Sequence, residues 1–352
     1  MRLEIHKRVL GASRKMLAYK ALALALALLV DALIFLAMGV DPVQAYGHIL
    51  EAAFFSTYGL AETVVKFIPL ALVSYGLALA FKAQIWNIGA EGQLLMGAIV
   101  ATWIGLNRKQ LAPEALIALM YLGGFIAGTA WAFIPAMLRA KLRVNEVLTT
   151  FMMNLIAQKI LEYLVYGPWR DPHGWGFPQT PPLPENARLP LIVGTRIHYT
   201  TLAIAVATCL FTYLLFSKTT IGYEIKVVGG NVRAANYAGI NVAKIVFLVM
   251  IMSGGLAGIA GAGEIGGIHY RLRPTFSPGY GYTSIVIAWL GGLNPLGVTI
   301  AAFLYSGLLV GGDALQVAMG LPQATVNIFN GSILFFILAF EFLTRYEVRV
   351  KR

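Results

Sequence analysis

Apolar runs long enough to cross a bilayer as helices recur along the chain, separated by short polar or glycine-rich breaks. The pattern predicts spans near 18–39, 64–81, 86–106, 114–138, 145–166, 199–217 and 244–262. An interrupted apolar region follows over 282–311, and a last span lies near 324–343. Gly291, Gly292 and Pro295 in "WLGGLNPLG" break any single helix there, which leaves two short spans or a hairpin that enters and returns. The total is eight to ten crossings, with ten the reading adopted. The predicted fold is all-α: a polytopic membrane helix bundle with broken helices. Glycine pairs four apart, Gly124–Gly128, Gly254–Gly258 and Gly307–Gly311, predict close helix contacts in lipid. The first run, "ALALALALLVDALIFLAMG", is too long for a signal-peptide core and reads as a retained helix.

Composition agrees with the pattern. The 352 residues are 58% hydrophobic and 12% charged, about half the charge of a soluble domain. The net charge of +11 would suggest nucleic acid in a soluble protein. Here the basic residues sit in loops between apolar runs, so they report membrane orientation and nucleic acid is excluded as a partner. With the N-terminus inside, eighteen Lys and Arg fall in inside segments and seven in outside segments. Both termini are therefore expected in the cytoplasm. That topology makes 1–17 a cytoplasmic extension, 218–243 a cytoplasmic loop, 344–352 a cytoplasmic tail and 167–198 an extracytoplasmic loop. The last carries seven of the fifteen prolines together with Trp169, Trp175 and Phe177, which suits a rigid cap or a docking surface. Cys209, the single cysteine, lies in an apolar run and is expected to be packed and inert.

Catalytic chemistry is hard to find. No G-x-x-x-x-G-K-[ST] occurs, so the chain is not expected to bind ATP through a P-loop. There is no H-E-x-x-H and no G-x-S-x-G, and the five histidines lack metal spacing. Catalytic and metal sites are therefore not expected. Polar groups inside the spans are few: Asp31, the stretch "NIGAEGQ" from Asn87 to Gln93, and Asn154, Gln158, Lys159 and Glu162. Such groups face a cavity or a partner. Lys159 and Glu162, three apart on one helix, can neutralise each other. Asn87, Glu91, Gln93, Asn154 and, at the break, Asn294 are the candidates for lining a path.

The polar stretch "GYEIKVVGGNVRAANYAGINVAKI" stands out in so apolar a chain. Asn231 can cap a helix, "VRAANYA" can form two turns and Gly239 can end it. Ala234 and Ala235 would then offer a shallow face beside Arg233 and Asn236.

Five ordered stretches, "NIGAEGQLLMGA", "VNEVLTTFMMNLIA", "GYEIKVVGGNVRAANYAGINV", "SGGLAGIAGAGEI" and "GYGYTSIVIAWLGGLNPLGV", resemble the permease subunits of ABC importers. The branch is the ribose, branched-chain amino acid and nucleoside one, closest to simple-sugar and purine-nucleoside permeases. The resemblance runs from about residue 60 to 343. It implies a type II-like permease of a prokaryotic cytoplasmic (inner) membrane, 1–352 as a single transmembrane domain, and import by alternating access. It further implies two ABC ATPase subunits carrying ATP and Mg, with no cofactor in this chain. A second permease, a shorter homologue, and an extracytoplasmic solute-binding protein or lipoprotein complete the expected partners, with membrane lipid around them. It places ATPase coupling on Asn231, Arg233, Ala234, Ala235, Tyr237 and Gly239. "AANYAGI" departs from the family's E-A-A-x-x-x-G pattern by an alanine in place of the acid. The competing readings are an ion-coupled secondary transporter, which needs buried acids, and an ABC permease for branched-chain amino acids.

Overall fold

The structure is a computed structural model that describes residues 2–7 and 14–351, with the side chains described lying between Leu22 and Phe340. Met1 and residues 8–13 of the predicted N-terminal extension, and Arg352 of the tail, lie outside the described residues. Thirteen α-helices run in chain order among these residues. They are α1 (Arg14–Ala37), α2 (Pro42–Leu50), α3 (Thr57–Lys82), α4 (Ala90–Asn107), α5 (Pro113–Leu142), α6 (Glu146–Tyr166) and α7 (Tyr199–Lys218). Then follow α8 (Thr220–Gly230), α9 (Val232–Tyr237), α10 (Val242–Glu264), α11 (Tyr280–Leu290), α12 (Pro295–Met319) and α13 (Gln323–Arg345). Five of them, α3, α5, α7, α10 and α12, are long and apolar enough to cross a membrane on length and composition, and a bent pair around residue 40 makes a sixth. The chain is a multi-pass membrane protein whose candidate spans are all helical. At its ends, β1 (Arg2–Lys7) pairs antiparallel with β2 (Tyr346–Lys351), setting Leu3 opposite Val350 and Ile5 opposite Val348. This ribbon was not expected, although "RLEIHK" and "YEVRVK" both alternate with the period of a strand.

Residues 1–63 and 304–352 form one compact unit and 64–303 another. In the first, α1 turns back sharply into α2, with a bend of 117° at the break. Asp41 caps α2 by accepting from the Val43 amide at 2.9 Å, and Pro42 occupies its first turn. That Asp-Pro start, visible in the sequence, went unread in the span pattern because the helix is short. Phe35, Ile49, Leu315 and Phe329 are buried together in this unit. A Cβ on Gly311 would lie 2.5 Å from the Ile49 side chain, so the Gly307–Gly311 face is a close contact, as its spacing predicts.

The second unit is built on α4, α5 and α10. Gly124 and Gly128 of α5 meet Gly254 and Gly258 of α10. A Cβ on Gly258 would sit 2.0 Å from the Gly124 carbonyl oxygen, and one on Gly128 would sit 2.1 Å from that of Gly254. Gly261 brings α10 equally close to Leu94 of α4. Two small-residue pairs read separately from sequence are thus two halves of one contact, in which dispersion between touching backbones replaces the missing hydrophobic drive. The interrupted region resolves as α11, a turn over 291–294, and α12. Leu293 takes a left-handed φ of 56° in that turn, and the Asn294 side chain caps α12 through the Leu296 amide at 3.0 Å.

Candidate functional site

Between α3 and α4 the chain leaves helical geometry over residues 83–89. Non-helical backbone at membrane depth needs internal partners, and the polar residues of "NIGAEGQ" supply them. The Asn87 side-chain amide donates to Gln93 Oε1 and to Ser253 Oγ of α10, both at 2.9 Å. Its oxygen accepts from Gln93 Nε2 and from the Gly89 amide, each at 3.0 Å. Asn154 of α6 reaches in from the other side. It accepts from the Gly92 amide at 2.8 Å and donates to the Ile88 carbonyl at 2.8 Å and to the Tyr282 hydroxyl at 3.1 Å. Thr150 takes the Ile88 amide at 3.2 Å.

Glu91 closes the junction. It stands in the first turn of α4, and its Oε2 accepts from the Gly281 amide in the first turn of α11 at 2.7 Å. Two helix N-termini therefore converge on one carboxylate, a favourable place for negative charge. Gly281 is required for the approach, since a Cβ there would lie 2.3 Å from the Glu91 nitrogen. The structure thus brings Asn87, Glu91, Gln93 and Asn154 together, all buried, with their polar atoms directed at one another and at backbone. Asn294 lies apart and exposed, at the start of α12. The sequence reading did not find Ser253, Thr150, Gly281 and Tyr282, whose membership depends on contacts 62 to 190 residues away.

Lys159 and Glu162 pair at 2.6 Å on α6, and Gln158 donates to Glu162 at 3.1 Å. Asp31 in the first unit is buried and bonded to the Ser332 hydroxyl. Cys209 is half-buried, its Sγ 3.3 Å from Thr299 Oγ1.

The polar stretch after α7 is two helices, one more than the sequence reading found. Thr219 caps α8, accepting from the Gly222 amide at 3.0 Å, and Ile225 and Val228 of α8 face the core. A Cβ on Gly229 would lie 2.0 Å from the Lys82 carbonyl, so α8 rests directly on the end of α3. Asn231 caps α9 through the Arg233 and Ala234 amides at 2.9 and 3.2 Å, and Gly239 ends it at φ 76°, as the residues predict. One position differs. Ala235 does not share an open face with Ala234: it is fully buried among Ile225, Val228 and Ile245. Ala234 and the rest of α9 are exposed. A helix of six residues seated on a core must turn one residue inward, and the smallest available side chain takes that place. Tyr237, 94% exposed, and Val232, 49% exposed, are the large apolar groups on the outer side.

The loop 167–198 is tied down at several points. Asp171 pairs with Arg271 at 3.0 Å, and the amides of Thr180, Leu183 and Leu189 donate to the carbonyls of Leu272, Tyr270 and Gly266. Arg188 lies over the Tyr270 ring at 5.1 Å. Trp175, at 95%, is almost wholly exposed on this scaffold.

A broken-helix junction and a capped helix pair between two spans would suit several kinds of transporter. Residues 59–338 match the family described as branched-chain amino acid transport system / permease component.

The chain belongs to this permease family.

Several relatives match the permease over most of its length. The glucose ABC transporter permease protein TsgB13 of Haloferax volcanii is 38% identical, the match covering 92% of this chain and 87% of that one. The guanosine ABC transporter permease protein NupP of Bacillus subtilis is 33% identical over 90% and 91%. A second Bacillus subtilis protein, the guanosine ABC transporter permease protein NupQ, is 24% identical over 74% of this permease and 84% of itself. Among solved structures, an ABC transporter in an inward-facing conformation superposes with a TM-score of 0.50 at 18% identity, over 92% of this permease and 99% of that chain. That likeness concerns the fold alone.

Proposed function

We propose that this permease forms half of the membrane path of an ATP-driven importer for an uncharged, sugar-bearing cargo, a nucleoside or a simple sugar. The observation that carries the cargo class is the match to TsgB13 and NupP across nine-tenths of the chain. In this reading ATP and Mg bind in two separate ATPase subunits, and the chain catalyses nothing itself. The exposed side of α9, with Val232, Arg233, Asn236 and Tyr237, is where those subunits push, held in place by Ala235, Asn231 and Gly239. Both termini then face the cytoplasm, and Trp175 presents itself to a solute-binding protein outside. The second half of the path is a shorter homologue. In Bacillus subtilis two permease proteins named for guanosine match this chain, one along nearly all of it and one over about three quarters.

The test is uptake of labelled guanosine, adenosine and glucose into vesicles carrying the whole system, with leucine as competitor. Uptake of a nucleoside or sugar, unaffected by leucine and dependent on co-purifying ATPases, is the expected result. Competition by leucine alone overturns the cargo class. Transport by the isolated chain under an ion gradient overturns the energy source.

A further inference from the structure

An apolar groove of about 480 Å³ opens sideways between α3, α7 and the start of α12. Phe67 and Tyr75 form its back wall, Val206 and Leu210 one flank and Leu296 the other. Its few polar atoms are turned on each other: the Tyr75 hydroxyl lies 2.6 Å from Thr299 Oγ1, and Cys209 Sγ 3.3 Å from the same oxygen. Val206, Leu210 and Leu296 are exposed along its edge. At one end the groove meets a second, smaller hollow of about 190 Å³, sharing Tyr213 and abutting it at Pro295–Leu296. The chemistry changes there. The lining now holds Lys82, Lys226, Ser217 and Asn294, two ammonium groups and no carboxylate. Lys226 extends from α8 to donate to the Phe216 carbonyl at 2.6 Å, which fixes its ammonium at the last turn of α7.

Length distinguishes the classes of occupant. From Val206 to Tyr213 on α7 the apolar groove runs about 10 Å at roughly 1.5 Å per residue, and one further turn leads to the polar mouth at Ser217, a depth that fits within the ~15 Å of hydrocarbon in one leaflet. A cationic mouth at the end of an apolar slot within one leaflet complements an amphiphile with a negative head and a long chain. We infer that this groove binds an anionic membrane phospholipid, with one acyl chain along Phe67, Tyr75 and Leu210 and its phosphate between Lys82 and Lys226. The bound lipid spans α3, α7, α8 and α12. Because α8 leads directly into α9, the lipid fastens the coupling segment to the membrane helices. The inference rests on the membrane embedding of the chain and not on its cargo.

The test uses the assembled complex in nanodiscs with a photoreactive phosphatidylglycerol. Labelling is expected on α7 and α12 near Val206, Leu210 and Leu296. It should fall about fivefold in Lys226→Gln, from roughly 1 kcal/mol per lysine near an anionic surface, and survive in Lys226→Arg. Phosphatidylcholine carrying the same photoreactive chain should label at the level of the Gln variant. Soluble glycerol phosphate should not displace the lipid. Equal labelling by phosphatidylcholine overturns the headgroup assignment. Displacement by glycerol phosphate makes the mouth a site for free anions and overturns the lipid. A crosslink from Leu210→Cys, in a Cys209→Ser background, to the second permease assigns the face to protein and overturns it as well.

Discussion

Helices α10 and α7 are both apolar enough to span, yet they are used in opposite ways. Within the chain, 72% of the most apolar window of α10 is buried, against 28% for α7. The difference is in residue size. α10 carries "SGGLAGIAGAG" and meets α5 and α4 backbone to backbone, while α7 carries "LAIAVATCLFTYLLF" and turns Val206, Leu210, Phe211 and Leu214 outward. Hydropathy decides that a helix enters the bilayer; small residues decide which helices become its neighbours' interior.

The comparison can be broken most directly by Gly258→Leu beside Ala207→Leu. The first drives carbon into the Gly124 carbonyl, and a loss of more than about 3 kcal/mol is expected, because the obstacle is backbone. The second, on the exposed side of α7, should change the detergent-state unfolding midpoint little. Equal effects would mean that α10 is not the packed interior.

Next in size is Asn154→Leu against Thr208→Val. The first strands the Gly92 amide and Ile88 carbonyl in a buried junction and should cost about 2–4 kcal/mol. The second loses only a bond to Ile204 within α7 and should cost under about 1 kcal/mol. Thermal unfolding of the two variants would settle whether the interior polar groups hold the broken helices.

Between the two helices in sequence lies α9. Tyr237→Ala should leave stability within about 0.5 kcal/mol and reduce capture of the ATPase subunits tenfold or more. Undiminished co-purification would remove Tyr237 from the coupling surface.

The mildest effect concerns the start of α7. His198 precedes its first turn, fully buried, and burial pushes its pKa below the ordinary 6.5, with Glu264 opposing. The unfolded chain therefore binds a proton that the folded chain refuses. This contribution to stability is complete above about pH 6.5 and is lost as pH falls through the lowered value. The unfolding midpoint should drop on acidification, and His198→Gln should flatten that slope. An unchanged slope would show that another group titrates.

What could be read beforehand follows the range of the forces involved. The caps at Asn231 and Gly239 act over two to four residues, and both were legible. The glycine spacings announced contacts without naming the partners. α2 and α8 were passed over because short helices leave a weak hydropathy signal, although Asp41–Pro42 and Thr219 mark their starts. The inward turn of Ala235 could not be read from α9 alone, since it depends on Ile225 and Ile245 waiting beneath it. The polar residues of "NIGAEGQ" stand out in the sequence, but their partners lie in α6, α10 and α11. No local rule reaches that far.

The bond from Glu91 to Gly281 joins groups 190 residues apart. A chain made from its N-terminus must therefore deliver α4 to the membrane long before α11 exists. Until then the Glu91 carboxylate in the first turn of α4 lacks the Gly281 amide, although Asn87 and Gln93 can already bond to each other. Asn154 arrives with α6, Ser253 with α10, and the Gly281 amide last of all. Biogenesis of this protein is thus ordered: α4 waits in provisional surroundings, and its seat closes only when the ribosome has passed residue 281. Truncation just before that point would leave a chain with most of its spans and an unfinished interior, the kind of intermediate that membrane quality control can recognise.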